Sequence, residues 1–96
     1  MTPEQEAKFY RMIVRLMYLY DPAYLNDSAP DDEYAPEAVA LMAHSDSLGS
    51  REALAEAIHR VCAESIGADN IAPRDDALYR ELAGEILLAR DVAGAL

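Results

Sequence analysis

Hydrophobic residues near the start of the chain recur at steps of three and four, the spacing of one face of an α-helix. These residues are Phe9, Met12, Ile13, Leu16, Met17 and Tyr20. Thr2 can cap a helix, Pro3 suits the first helical position, and Gln5 stands at the capping-box position. Asp21-Pro22 disfavours any continuation of the helix. The pattern predicts a first helix over 3–20.

Two further helices are indicated in the middle of the chain. Pro36 suits a first helical position and predicts a short helix over about 36–44. Ser50 is a natural cap for a longer helix over about 51–66. Gly67 stands where a residue in a left-handed conformation commonly ends a helix.

A fourth helix is predicted over about 73–90. Pro73 would begin it, and Asp75 and Asp76 would lie near the positive end of its dipole. Residues 92–96 are expected to fray. Because no segment alternates with a period of two, we expect no sheet. The predicted fold class is an all-α bundle of four helices, three long and one short, with a long acidic loop between the first two.

That loop, residues 21–35, belongs to a stretch with an unusual distribution of charge. Between Arg15 and Arg51 the chain has no lysine or arginine but seven acids. The acids are Asp21, Asp27, Asp31, Asp32, Glu33, Glu37 and Asp46. Residues 21–69, with eleven acids against two arginines, therefore hold most of the formal net charge of −10. Such a surface attracts basic partners and repels nucleic acid and anionic membranes.

Length and composition are those of one globular domain, predicted to span 1–96. Hydrophobic residues make up 52% of the chain, enough for a core without disulfides. Cys62 is the single cysteine, which fits a reducing, cytoplasmic setting. Residues 1–8 are polar, so we expect no signal peptide, and no stretch is long enough to predict a membrane span.

Several segments resemble a family of small bacterial helical proteins described as a domain of unknown function. The shared segments are Asp21-Pro22, then Ala29-Pro30-Asp31-Asp32-Glu33-Tyr34, then Leu54-Ala55-Glu56-Ala57-Ile58, and Gly67. The resemblance covers about 21–90 and implies a helical fold, with no settled activity. The chain departs from the family at Tyr20, where tryptophan often precedes the Asp-Pro pair.

The loop and its surroundings supply the candidate site. The predicted partner-binding residues are Tyr24, Asp27, Asp31, Asp32, Glu33, Tyr34, Glu37 and Asp46. Tyrosines would act as aromatic anchors, and the acids would pair with arginine or lysine of a partner. The alternative is structural: Asp21, Asp32 or Glu33 would cap a helix or accept backbone hydrogen bonds, and the tyrosines would fill the core. The remaining acids would then be solvated surface charges.

Catalytic and metal sites are disfavoured, and we predict no enzymatic activity, no metal and no cofactor. The loop lacks the glycine and the ligand spacing of a calcium site. Glu56 and His59 match one half-site of a di-iron bundle, but such sites need two of these elements and two more glutamates. His59 and Cys62 are three residues apart, yet Cys62 falls on the apolar stripe of its helix, where a thiol is usually inert.

The leading hypothesis is a non-enzymatic binding protein, an immunity-type or antitoxin-type inhibitor that covers a basic surface of a toxin or nuclease. A second hypothesis is a phage-type inhibitor that mimics the charge of nucleic acid and blocks a complex that binds DNA or RNA. A third is a structural or self-associating subunit, with the aromatic surface of the first helix as a homodimer seam.

Overall fold

Four α-helices form the part of the chain that the structure describes. The computed structural model describes residues 1–22, 34–47 and 49–95. The helices are α1 (Pro3–Tyr20), α2 (Ala35–Ser47), α3 (Arg51–Ser65) and α4 (Ala77–Ala95), with a 3-10 turn at Ala68–Asn70. No strand occurs in these three segments, so the all-α prediction is confirmed. The central part of the predicted acidic loop, residues 23–33, lies outside the described residues.

The predicted bounds of the first helix are confirmed, and the predicted capping box is formed. Thr2 Oγ1 accepts a hydrogen bond from the backbone N–H of Gln5 at 3.2 Å, and Gln5 Oε1 accepts one from the N–H of Thr2 at 2.8 Å. At the other end Asp21 has a left-handed backbone with φ of 51°, and its N–H donates to the carbonyl of Met17. Local sequence is sufficient here because both ends are satisfied within the helix itself.

The middle helices differ modestly from prediction. α2 extends to Ser47, three residues beyond its predicted end, although it remains the shortest of the four helices. α3 begins as predicted, since Ser50 Oγ accepts from the N–H of Ala53 at 3.1 Å. Gly67 has a φ of +114° after α3, a conformation that residues with a Cβ atom rarely adopt.

The predicted start of the fourth helix was wrong. Residues 73–76 form a turn, and α4 begins at Ala77, where the Asp76 carboxylate accepts from the N–H of Leu78 at 3.0 Å. The segment before the turn is held by tertiary contacts instead. The N–H of Ala72 donates to the carbonyl of Pro22, and the Tyr79 hydroxyl donates to the carbonyl of Ala72. These two hydrogen bonds hold the segment around Ile71 in an extended conformation that the local pattern did not indicate.

The expected fraying at the C-terminal end was also wrong. α4 continues to Ala95, and Ala93 is fully buried. Gln5 Nε2 donates to the carbonyl of Gly94 at 3.1 Å, which ties the last turn of α4 to the first turn of α1.

The helices surround one hydrophobic core. α1 packs on α2 and α4, and α3 packs on the same two helices from the other side, so consecutive helices are neighbours around the bundle. The largest fully buried side chains include Tyr34, Tyr79, Phe9, Ile13, Met17, Leu41, Leu54, Ile58, Leu82 and Ile86. The predicted apolar face of α1 is largely confirmed, since Phe9, Ile13 and Met17 are buried, whereas Val39 of α2 is 61% exposed.

None of the helices, over the parts of the chain that are described, has both the length and the apolar character needed to cross a membrane.

Candidate functional site

Glu37 lies buried between the start of α2 and the end of α3. Its side chain is 5% exposed, the only charged group among the buried residues of the described chain. The alternative in which it was a free, solvated charge is therefore wrong. It is buried because the first turn of α2 packs against the last turn of α3, which brings Ser65 to Glu37.

The hydrogen-bonding needs of this carboxylate are poorly met. Ser65 Oγ lies 3.1 Å from Glu37 Oε1, but it also lies 2.9 Å from the carbonyl oxygen of Val61. A serine hydroxyl has one hydrogen, so it can donate fully to only one of these acceptors. Glu37 Oε2 is buried and has no hydrogen-bond partner within the described parts of the chain. A buried acceptor that is left unsatisfied costs about 1–3 kcal/mol.

A cavity of about 300 Å³ adjoins this group, and we name it the α2–α3 cleft. Its lining includes Glu37, Ala40 and His44 from α2, and Val61, Glu64 and Ser65 from α3. Glu64 is exposed and adds a second carboxylate at the edge. No lysine or arginine of the described chain lines the cleft, so its charge is negative.

The position of Glu37 in its helix suits an acidic side chain. It lies in the first turn of α2, where the partial positive charge of the helix N-terminus stabilises an anion. The cleft thus combines a favourable dipole with an incomplete set of hydrogen-bond donors. A cationic side chain from outside the chain would supply the missing donors.

Two arginines close to α3 in the fold are already paired. Arg74 lies 2.8 Å from Glu56, and Arg80 lies 3.0 Å from Glu52. The hydrogen bond from Arg74 lowers the pKa of the Glu56 carboxyl below its ordinary value. Because both arginines are engaged with acids on the other side of α3, their charge is not available to the Glu37 carboxylate.

Cys62 is buried beside the cleft and is held in its thiol form. Burial raises its pKa from the ordinary 9.0 to about 12, and the negative charge of Glu37 adds to the effect. A thiol with such a pKa is not a nucleophile at neutral pH. The predicted burial of Cys62 is confirmed, with its side chain fully inaccessible.

The other residues considered for metal binding are engaged elsewhere. Glu56 pairs with Arg74, and the ring of His59 packs edge-on against Tyr79 with their centroids 5.4 Å apart. Across residues 1–22, 34–47 and 49–95, no three side chains of His, Cys, Asp or Glu are grouped so as to hold a metal ion.

Tyr34 lies in the core and not at the surface. It is 1% exposed, and its hydroxyl donates to Asp21 Oδ1 at 2.6 Å. The structural alternative is therefore the correct one for Tyr34 and Asp21: the ring fixes the chain immediately before α2 to the end of α1. Tyr34 is not an exposed anchor, but it positions the first turn of α2 and thus Glu37.

The remaining predicted site residues are not tested by the structure. Tyr24, Asp27 and the acids at 31–33 lie outside the described residues, and so does the side chain of Asp46 within α2. The aromatic residues of the predicted homodimer seam on α1 are partly used by the fold, since Phe9 is buried and Tyr10 and Tyr20 pack against the core.

The sequence did not predict that the residues of the α2–α3 cleft would lie together. Glu64 and Ser65 are 27 and 28 positions from Glu37, and no local pattern links them. The available signals were an acid at the start of a predicted short helix and a serine near the end of the predicted third helix. Only the packing of the two helices brings these residues together.

No protein-family model, curated protein or solved structure matches this chain. The resemblance to a small bacterial helical family stays a prediction.

Proposed function

We propose that this chain is a non-enzymatic protein-binding domain, an inhibitor of immunity or antitoxin type that covers a basic surface of a toxin or nuclease. The α2–α3 cleft would receive a lysine or arginine side chain of the partner. The observation that supports this most strongly is the buried Glu37 carboxylate, one oxygen of which has no hydrogen-bond partner in the described chain.

A carboxylate that is buried without enough donors lowers stability, and an apolar side chain of similar size would pack there without that penalty. Glu37 also lines the cleft, and the terminal torsion of a glutamate is broad. A modest rotation can therefore present Oε2 to a cation entering the cavity. Arginine suits this task because its planar group donates several hydrogen bonds at once.

The charge distribution of the chain also supports a cationic partner. The formal net charge is −10, and the stretch from Arg15 to Arg51 contains no base. A field of this sign accelerates the encounter with a cationic partner and disfavours anionic competitors. The acids at positions 27 and 31–33 precede α2 in the sequence, and in this proposal they add to the attraction.

Capture from the host tests the proposal. Wild-type chain, a Glu37→Gln/Glu64→Gln variant and a Glu81→Gln control would be used as baits, after circular dichroism has shown all three to be folded. Glu81 is an exposed acid of α4 outside the cleft. We expect wild type and the control to retain the same basic protein. The double variant should bind that protein at least about tenfold more weakly, the equivalent of one lost charged hydrogen bond.

Further assays on the captured protein define the mode of action. An inhibitor should abolish an enzymatic activity of its partner at an equimolar ratio. Competition by duplex DNA for the same partner would favour the nucleic-acid-mimicking alternative. A dimer detected by light scattering, together with no captured partner, would favour the self-associating alternative. Equal retention by all three baits, or an acidic partner, would refute the role of the cleft.

A further inference from the structure

A second cavity, of about 470 Å³, lies on the other side of the bundle between α1 and α4, and we name it the α1–α4 groove. Its floor is apolar, with Met12 and Leu16 from α1 and Leu88, Ala89 and Val92 from α4. Leu88 is 57% exposed and Val92 is 44% exposed. Large apolar side chains exposed together in a concave site typically mark a surface where another molecule binds.

The rim of the groove is basic, in contrast to the rest of the protein. Lys8, Arg11 and Arg15 follow one another along one side of α1, and Glu85 of α4 is the acid that lines the same cavity. None of the three bases forms an ion pair with any described residue, whereas Arg74 and Arg80 are both paired. Three unpaired cations around an apolar floor form a surface that is complementary to an apolar segment flanked by acids.

We infer that the α1–α4 groove binds an acidic amphipathic helix of another protein. A groove between two helices accepts the apolar face of a third helix, whose residues at steps of three and four fill it. Acids flanking that face would pair with Lys8, Arg11 and Arg15. A second copy of this chain docked groove to groove would oppose two rims with the same surplus of positive charge. Nucleic acid is disfavoured because three bases are set against a net charge of −10.

This surface is independent of the proposed function, since it shares no lining residue with the α2–α3 cleft. A protein that has both would bring together a basic partner on one side and an acidic helix on the other. The acidic helix would belong to a second protein or to a distant segment of the same partner.

Peptide binding followed by NMR tests this inference. The probe is a designed amphipathic helix of about 15 residues with leucine along one face and glutamate on the flanks. A matched peptide has lysine in place of every glutamate. We expect the glutamate peptide to shift amide resonances of α1 and α4 around the groove. It should bind about tenfold more tightly than the lysine peptide, the sum of a few exposed ion pairs.

Variants on the protein give the matched controls. Leu88→Glu should weaken the glutamate peptide about tenfold or more through loss of apolar burial. Val39→Glu, at a residue of α2 that is equally exposed, should have no effect. Arg11→Gln with Arg15→Gln should weaken binding about fivefold, whereas Arg60→Gln should not.

Any one of three results in the peptide experiment would overturn the inference. They are no saturable shift at roughly millimolar peptide, equal affinity for the two peptides, and shifts that map away from α1 and α4. Self-association of the protein in sedimentation experiments, abolished by Leu88→Glu, would also overturn it, because the occupant of the groove would then be a second copy.

Discussion

The α2–α3 cleft holds its critical charge inside the protein, whereas the α1–α4 groove holds its charges at an exposed rim. Glu37 is 5% exposed and interacts with Ser65, a side chain that the fold itself positions. Lys8, Arg11 and Arg15 are all exposed. The accessible surface of the groove is almost entirely apolar, whereas that of the cleft is a mixture of polar and apolar surface.

Because of this difference, the cleft and the groove should affect the stability of the fold to different extents. A buried charge with too few donors costs free energy in the unbound protein, and a bound cation can return that energy. An exposed base surrounded by water costs little and contributes little until a partner displaces the water. Substitutions around the cleft should therefore change folding as well as binding, while substitutions in the groove should change binding alone.

The largest expected difference concerns the residue that positions the cleft. Tyr34→Ala should lower the free energy of unfolding by about 3–5 kcal/mol, because it removes a buried ring and leaves a cavity. Leu88→Ala in the groove should stay within about 0.5 kcal/mol of wild type. Urea denaturation of both variants measures this. Tyr34→Phe measures the contribution of the hydrogen bond to Asp21 alone. A similar loss of unfolding free energy in Tyr34→Ala and Leu88→Ala would contradict the expected difference between the cleft and the groove.

The next effect uses Cys62 as a reporter of the charge in the cleft. Its pKa is about 12 in the folded protein against an ordinary 9.0. Between these values the unfolded chain has lost a proton that the folded chain keeps, so stability should fall as pH rises from 9 towards 12. Urea denaturation of wild type and Cys62→Val across this range isolates the contribution of the thiol from those of tyrosine and lysine.

Removing the charge of Glu37 tests whether that charge contributes to the raised pKa of Cys62. In Glu37→Gln the pKa of Cys62 should fall, while it stays above 9.0 because burial is the larger cause of the shift. The difference in ultraviolet absorbance between each protein and the same protein carrying Cys62→Val cancels the tyrosines and reports the Cys62 pKa during a pH titration. A Cys62 pKa that is identical in the two proteins would show that the cleft carboxylate exerts no field on the thiol.

The smallest effect compares paired with unpaired arginines. Arg74→Gln should lower the free energy of unfolding only slightly, since it removes an exposed ion pair with Glu56. Arg15→Gln, at the rim of the groove, should have no measurable effect. Thermal unfolding at low and high salt would show the Arg74 contribution decreasing with salt. An equal or larger loss for Arg15→Gln would mean that the rim is structural.

The local sequence was sufficient to predict a helix end where residues close in the chain cap the backbone groups of that end. Thr2 and Gln5 cap α1, Ser50 caps α3, and Gly67 adopts the positive φ expected of it. The all-helical class followed from the three- and four-residue spacing of apolar side chains, which the buried Phe9, Ile13 and Met17 confirm.

The local sequence was insufficient to predict the structure where contacts between residues distant in the chain determine it. Pro73 suits a helix start, but hydrogen bonds from Ala72 and Tyr79 hold the preceding segment extended, and α4 begins after Asp76. Glu37 was grouped with the surface acids because its neighbours in sequence say nothing about Ser65. The groove was likewise not predicted, since its two sides come from the first and last helices.

The claim that Glu37 is retained for a partner and not for the fold is tested most directly by the stability of Glu37→Met. Methionine has a similar length and needs no hydrogen-bond donors. In urea denaturation at pH 7, the account predicts that this variant unfolds with a free energy about 1–3 kcal/mol higher than wild type. A free energy of unfolding lower than wild type by about 1 kcal/mol or more would contradict the account, because it would show that the fold itself depends on the carboxylate.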